Sequence, residues 1–320
     1  MPVKIWGMTV GHAGFESQAL GLAEALGGDV TLKRVEPRFP WAYVPPGLAL
    51  PSPIATVADS DRLEPPWPDV LISCGRRVVG LALAIKRDSA GRTLAVHIQD
   101  PLVNPRRFDL VVAPAHDGVR GDNVVVTRGA IHRVTREKLA TAATEFGPSL
   151  AHLPRPLIAV LIGGSNRRYR MTSAAIQALG DSLVSLTDRH GAGLAITASR
   201  RTGPEHLAAL RGKLAGRPAV FWDGTGANPY FGYLALADAI VVTEDSVSMT
   251  SEAAATGKPV YVAALEGGGP RFARFHAALR EAGVTRPLDG TFARWSYEPI
   301  DDTAAAVREI RRLLAQRNGR

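Results

Sequence analysis

Residues 239–262 constrain the fold more than any other stretch of this chain. Residues 239–242 are an apolar, β-branched run, and residues 246–255 are small residues and good helix formers. Gly257, Lys258 and Pro259 supply a helix stop, and residues 260–262 are apolar again. Strand, polar turn, short helix and strand in that order form a βαβ unit, which places the turn at residues 243–248 on the carboxyl edge of a parallel sheet. Unpaired N–H groups at a helix start there hold anions. Glu252 follows Ser246 by about one and a half turns at ~3.6 residues per turn. It is in reach of a ligand's hydroxyl groups while the helix start holds the phosphates.

The same alternation runs through the other parts of the 320 residues, enough for two α/β domains of ordinary size. Apolar runs at 3–8, 30–35, 70–73, 93–98, 109–113 and 123–126 each lead into a polar turn. Residues 146–156, with Gly147, Pro148, Pro154 and Pro156, read as a linker. The pattern restarts with runs at 157–162, 193–197 and 219–222, and residues 303–314 form an amphipathic helix. The expectation is an α/β chain of two Rossmann-like domains facing across a cleft, residues 1–147 and 157–300, joined by a linker at 148–156. A C-terminal helix within 301–320 is expected to pack back on the first domain.

Composition narrows the setting. With 46% hydrophobic residues there is ample material for packed cores, and the single cysteine, Cys74, allows no intrachain disulfide. Cys74 ends an apolar run and reads as a buried structural thiol in a reducing compartment. The N-terminus enters a strand with no basic segment before a long apolar one, and no window approaches the ~18 apolar residues of a membrane span. A cytoplasmic protein is expected, at most peripheral at the inner membrane. The net charge of +8 is uneven, +2 over residues 1–150 and +6 over 151–320. A basic second half suits an anionic ligand, whereas nucleic acid is disfavoured as a partner because the arginines are spread over loops with no basic helix. Residues 37–68 carry nine prolines together with Phe39, Trp41, Tyr43, Leu48 and Leu50. A long loop of this kind meets a lipid or hydrophobic acceptor, or else folds back on its own domain.

Chemistry-bearing residues gather on the turns. Gly163, Gly164 and Ser165 follow a fully apolar strand, where backbone N–H groups form a nest for a pyrophosphate. Arg167, Arg168, Arg200 and Arg201 sit on neighbouring turns and would offset its charge. The plainer alternative is a tight turn with solvated arginines. Likewise Ser246, Ser248 and Thr250 suit either a ligand or an ordinary helix cap, and Glu252 suits either a ligand or solvent. In the first half, turns bearing His12, Arg76, Arg77, Asp100, His116 and Asp117 share one rim. His12 is a candidate general base because an imidazole near pKa ~6.5 removes a hydroxyl proton at neutral pH. Asp100 and Asp117 are its rivals, and either would also serve to orient His12 or His116. The first turn, Gly11-x-x-Gly14, lacks the dinucleotide spacing. There is no metal-ligand spacing, and Gly163-Gly164-Ser165 is not a serine-hydrolase elbow.

Several of these segments together resemble the bacterial relatives of the plant mitochondrial fission (elongated-mitochondria) protein. They are residues 243–253 and 256–262, Gly226-x-Asn228-Pro229-Tyr230, Ser199-Arg200-Arg201-Thr202, residues 161–165, Ser73-Cys74-Gly75-Arg76-Arg77 and Ala113-Pro114-x-His116-Asp117. The family is similar to a branch of the GT-B glycosyltransferases, which implies a nucleotide-sugar donor on the second domain and an acceptor on the first. By that resemblance Glu252 binds the donor ribose. Ser246, Ser248 and Thr250 lie near the diphosphate with Gly163, Gly164 and Ser165, and Asn228 joins the donor set. Arg200, with Arg201 or Arg167, offsets leaving-group charge without a metal. The resemblance implies no separate cofactor, because the nucleotide sugar is itself the substrate; a lipid-linked or lipopolysaccharide acceptor is expected from the aromatic loop between Trp41 and Leu50 and the basic character of the chain. It matches Gly11, Gly14 and Gln18 but does not fix His12, which leaves Asp100 as the other base. A nucleotide-sugar 2-epimerase and a non-catalytic scaffold of membrane fission remain as alternatives.

Overall fold

The computed structural model describes residues 2–45 and 60–318. They divide into two compact units, Met1–Arg133 with Asp301–Arg320, and Val134–Ile300. In chain order the first unit holds β1 (Lys4–Thr9), α1 (Ala13–Leu26), β2 (Asp29–Arg34), β3 (Val70–Cys74), α2 (Val79–Asp88), β4 (Leu94–Ile98), β5 (Leu110–Pro114) and β6 (Val124–Thr127). The second holds α3 (Arg136–Leu150), β7 (Leu157–Ile162), β8 (Tyr169–Arg170), α4 (Ser173–His190), β9 (Gly193–Ala198), α5 (Pro204–Lys213), β10 (Ala219–Phe221), α6 (Tyr230–Leu236), β11 (Ala239–Thr243), α7 (Val247–Ala254), β12 (Val260–Ala263), β13 (Glu266–Gly267), α8 (Pro270–Glu281) and β14 (Thr285–Pro287). The last helix, α9 (Thr303–Asn318), belongs to the first unit.

Each unit is built on a six-stranded sheet, ordered β2-β1-β3-β4-β5-β6 in the first and β10-β9-β7-β11-β12-β14 in the second. Every pairing within these two sheets is parallel. The apolar runs follow from this, because a parallel sheet has helices on both faces and its inner strands are buried on both. In the first sheet Ile5, Val70, Ile72, Leu94, Val96 and Leu110 pack under α1 and α9, while Met8, Leu71, Ala95 and Val111 pack under α2. In the second, Ile158, Val160 and Val241 face α4, while Ala159, Leu161, Ile240 and Val242 face α3 and α6. The small antiparallel pair β8–β13 lies outside both sheets.

The boundary between units falls before α3, upstream of the linker expected from the prolines. The Thr135 hydroxyl accepts from the Lys138 N–H at 3.2 Å and starts a helix that continues through Gly147 and Pro148 to Leu150. That helix packs on α6, with Phe146 so close to Gly232 that a Cβ there would lie 2.7 Å from it. Val134 and Leu150 thus enter the second unit's core. Of the proline-rich segment, Trp41 packs against the first unit's core, while Phe39 and Tyr43 are 83% and 82% exposed. Residues 46–59, which include Leu48 and Leu50, lie outside the described residues. Cys74 is buried, and burial pushes its thiol above the ordinary range.

One polar pair crosses the first core. His97 on β4 lies opposite Ser73 on β3, with the imidazole Nδ1 2.9 Å from the Ser73 hydroxyl. That hydroxyl donates its single proton to the Val96 carbonyl at 3.1 Å, so that the imidazole Nδ1–H is the donor to Ser73. Burial lowers the imidazole pKa from 6.5 to about 3. Between these values the unfolded chain binds the proton and the folded chain does not, so stability is lost as pH falls from 6.5 toward 3. Between pH 7 and pH 4 this one group costs about 3 kcal/mol at ~1.4 kcal/mol per pKa unit. Urea unfolding of His97→Leu at both pH values is expected to show an acid loss smaller than that of the parent chain by roughly this amount.

Candidate functional site

The second sheet places its turns unequally. The chain runs outward from β7 through β9 to β10, then crosses to the other side of β7 for β11, β12 and β14. The turns after β7 and β11 therefore part at the point where strand order reverses, the position at which open parallel sheets take ligands.

A buried carboxylate ties the turns together there. The Asp245 side chain has no exposure to solvent, and it accepts from the Thr243 hydroxyl at 2.7 Å and the Gly164 N–H at 3.0 Å. It also pairs with the Arg201 guanidinium at 2.7 Å. The Gly163 N–H donates to the Thr243 hydroxyl oxygen at 2.7 Å. A Cβ at position 163 would lie 2.2 Å from the Asp245 carboxylate, and one at 164 would lie 2.1 Å from the Arg201 carbonyl oxygen. Both glycines are thus required for close packing, and the two amides expected to cradle a pyrophosphate are engaged within the protein. The motif at 199–202 completes the knot. The Ser199 and Thr202 hydroxyls donate to the Gly163 carbonyl at 2.7 and 2.6 Å, and Arg201 donates to the Gly164 carbonyl at 2.9 Å.

The cationic side chains differ in freedom. Arg201 is committed to Asp245, although its side chain remains 42% exposed. Arg200 and Arg167 are exposed and hold no ion pair among the described residues. Ser165 is exposed, its hydroxyl accepting from the Met171 N–H at 3.0 Å. The Asn166 side chain accepts from the N–H groups of Arg168 and Tyr169 and so folds the loop that carries these arginines.

At α7, Ser246 is the N-cap, its hydroxyl accepting from the Met249 N–H at 3.3 Å. Thr250 is fully buried and donates to the Ser246 carbonyl at 2.9 Å. Ser248 stands partly exposed on the first turn. Glu252 is 6% exposed and accepts a 2.5 Å hydrogen bond from the Tyr230 hydroxyl. Asn228 is exposed and caps the start of α6, its side-chain oxygen accepting from the Tyr230 N–H at 3.0 Å.

The first unit has its own reversal, between β1 and β3. His12 is exposed at the N-cap of α1, makes no capping bond with its side chain, and sets its ring 5.6 Å from that of Phe15. Phe15 in turn covers Gly75, whose φ of +93° and lack of room for a side chain both require glycine. Asp100 accepts from the Leu102 N–H at 2.9 Å, and its own N–H donates to Asp117 at 3.3 Å. Asp117 lies beside the buried His116 imidazole at 3.3 Å. Asp100, His116 and Asp117 therefore form one cluster, while His12 sits with Phe15 and Gly75. Arg76 is exposed, and Arg77 pairs with Glu36 at 2.5 Å.

Sequence reasoning passed over four residues. Thr243 and Asp245 lie within the stretch that drew attention to the site but read there as generic turn polarity. Tyr230 stood in a motif with no role attached. Gln99 has a φ of +82°, rare outside glycine, and its amide donates to Gln18 at 3.3 Å, which itself donates to the Gly14 carbonyl. The offset between Gly14 and Gln18 was visible; the partner just after β4 was not.

Two six-stranded parallel sheets, each with a strand-order reversal, define the two-domain Rossmann-like architecture of GT-B type. The solved UDP-GlcNAc 2-epimerase of Methanocaldococcus jannaschii, in complex with UDP-GlcNAc and UDP, shares this fold. Its TM-score is 0.52 at 14% identity, over 77% of this chain and 75% of that one. The chain belongs to the mitochondrial fission ELM1 family, whose model matches residues 13–314. The mitochondrial fission protein ELM1 of Arabidopsis thaliana is 36% identical over 281 residues, 79% of this chain. The match spans 66% of the plant protein, just under two thirds of its length. The uncharacterized protein RP120 of Rickettsia prowazekii is 27% identical over 298 residues, 81% of this chain and 83% of its own.

The Asp245 knot makes a stability prediction. Asp245→Ala leaves a buried amide and hydroxyl without their acceptor and is expected to cost about 2–3 kcal/mol. Gly163→Ala forces the same carboxylate aside and is expected to cost a similar amount. Because both disrupt one contact, the double variant should cost clearly less than the sum, as urea unfolding of the three variants would show.

Proposed function

We propose that this protein is a glycosyltransferase of the GT-B type that takes a nucleoside-diphosphate sugar on its second unit. The observation that carries this reading is Glu252, a 6% exposed carboxylate on the helix that follows the reversal point of the second sheet. A carboxylate accepts from two neighbouring hydroxyl groups through its two oxygens. A pair of ribose hydroxyls is a ligand such a group suits. The likeness of fold to an enzyme solved with UDP-GlcNAc and UDP supports a nucleotide sugar as the ligand class.

The reaction is a displacement at the anomeric carbon. An acceptor hydroxyl loses its proton to a base and forms a bond to that carbon, and the bond from carbon to the diphosphate oxygen breaks. The departing nucleoside diphosphate carries the electron pair and the added negative charge. Arg200 and Arg167, exposed and without ion pairs among the described residues, are the groups assigned to meet that charge, with the half-exposed Arg201 beside them. Among the described residues no group of three His, Cys, Asp or Glu side chains is placed to hold a metal ion. The base is assigned to the first unit. His12 is exposed, whereas Asp100 already accepts one backbone hydrogen bond. His12 is therefore the less encumbered of the two.

A lipid-linked acceptor at a membrane surface completes the proposal. Its support is the exposed pair Phe39 and Tyr43, 6.4 Å apart beside Arg38, an aromatic edge suited to a lipid boundary. No helix among the described residues is long and apolar enough to cross a membrane.

Thermal shift against UDP-, GDP-, ADP- and CMP-sugars tests the reading. A donor at 100-fold over its dissociation constant stabilises the folded chain by about 2.7 kcal/mol. At least one donor is expected to do so, and Arg200→Ala combined with Glu252→Ala should abolish the effect. No shift with any donor would sink the transferase and leave a scaffold role in membrane fission. Epimerisation or hydrolysis of the donor without an acceptor would move the assignment to a 2-epimerase.

A further inference from the structure

Tyr230 begins α6 and lies 22 residues before Glu252, yet its hydroxyl donates to the Glu252 carboxylate at 2.5 Å, the shortest contact either side chain makes among the bonds described above. Hydrogen bonds from a hydroxyl to a carboxylate are short and roughly twice as strong as neutral ones. The phenol is pushed well above its ordinary pKa by burial and by the neighbouring carboxylate, so it stays a donor throughout the physiological range.

The helix that carries Tyr230 is held at both ends. At its start the Asn228 side chain accepts from the Tyr230 N–H at 3.0 Å, and Pro229 occupies the N-cap. At its end the Lys258 ammonium donates to the carbonyls of Leu234 and Ala235 at 2.8 and 2.5 Å. On its flank Gly232 lets Phe146 approach to a distance that any side chain would block. The Tyr230 ring is further fixed edge-on to Phe231 at 5.7 Å. A seven-residue helix clamped in this way has no evident need for a phenol where a phenyl ring would pack as well. The oxygen is spent on Glu252.

We infer that Tyr230 is a positioning residue that holds the Glu252 carboxylate in the rotamer which receives the ribose hydroxyls of the nucleotide. This rests on the reading of Glu252 as a ribose ligand. The phenolic donor takes one of the roughly four acceptor directions of the carboxylate and so fixes how the group is turned. Without the phenol, Glu252 must find its binding rotamer at the moment the nucleotide arrives, and the ribose contact weakens accordingly. The motif Gly226-x-Asn228-Pro229-Tyr230 then has one purpose: Asn228 and Pro229 start the helix, and the helix aims the hydroxyl.

The test compares ribose with 2′-deoxyribose. Binding of UDP, GDP, ADP and CDP to the full chain is measured by calorimetry beside that of each 2′-deoxy counterpart. The parent is expected to prefer the ribonucleotide it binds by about tenfold or more, the scale of one good hydrogen bond. Tyr230→Phe should cut this preference to about threefold or less, and Glu252→Gln should abolish it. The double variant should be no worse than Glu252→Gln alone, because the two groups act as one unit. A purely structural phenol predicts a lower melting temperature with the preference intact, and that result would overturn the inference. Should Glu252→Gln keep the preference, the reading of Glu252 fails and takes the inference with it. If the parent binds no nucleotide at all, the proposed function is what fails. Should Tyr230→Phe fold poorly, Asn228→Ala, which loosens the start of α6 and leaves the phenol in place, must lower the preference in the same direction, and an unchanged preference would count against the proposal.

Discussion

A single carboxylate, that of Asp245, holds the carboxyl edge of the second sheet in one shape. An unexposed carboxylate is tolerated only when its lone pairs are taken up. Here they are taken by a hydroxyl two residues back, by a glycine amide from the turn after β7, and by an arginine from the turn after β9. Three turns remote in sequence therefore share one anchor. The choice of residues nearby follows from it: glycine at 163 and 164 because the carboxylate and a carbonyl leave no room for a Cβ, and hydroxyls at 199 and 202 because the Gly163 carbonyl needs donors.

The first unit has a buried carboxylate of its own, Asp117, whose side chain is unexposed beside the His116 imidazole, and adds a chain of neutral amides. Gln99 leaves the end of β4 in a left-handed conformation, which costs roughly a kilocalorie per mole or more for a side chain of its kind. Its amide reaches Gln18 in the second turn of α1, and Gln18 holds Gly14. Neutral amides connect strand end to helix start there, with Asp100, His116 and Asp117 clustered on the adjoining turns. The two units differ in strand order, with one strand before the reversal point's β1 in the first sheet and two before β7 in the second, and they differ in what stiffens the rim. An arginine meets the buried carboxylate on the second rim, and a histidine lies beside the one on the first.

Much of the fold was legible because parallel sheets write themselves as apolar runs, and both sheets follow from the runs at 3–8, 70–73, 157–162 and 239–242. The boundary was less so. Gly147 and Pro148 look like a break, but the apolar side of α3 finds a partner in α6, and tertiary packing outweighs the local signal of two residues. The site was legible as a place and only partly as chemistry. Gly163 and Gly164 drew notice as glycines, which speaks to the close approach of other groups to their backbone and is silent on whether their amides face a ligand or a carboxylate. Tyr230 and Glu252 are 22 residues apart, and no local pattern marks two side chains on different helices that meet only in the folded chain.

The first unit's core is closed by a helix that the chain reaches last. Ala306, Val307 and Ile310 on α9 lie over Leu22 and Ala23 of α1, with the whole second unit intervening in sequence. During synthesis the second unit, being continuous, is complete while the apolar stripe of α1 still lacks its cover. The first sheet must wait for its final partner. The apolar stripe of α1 therefore depends on residues 301–320 for its cover, while among the described residues the second unit's core draws nothing from them.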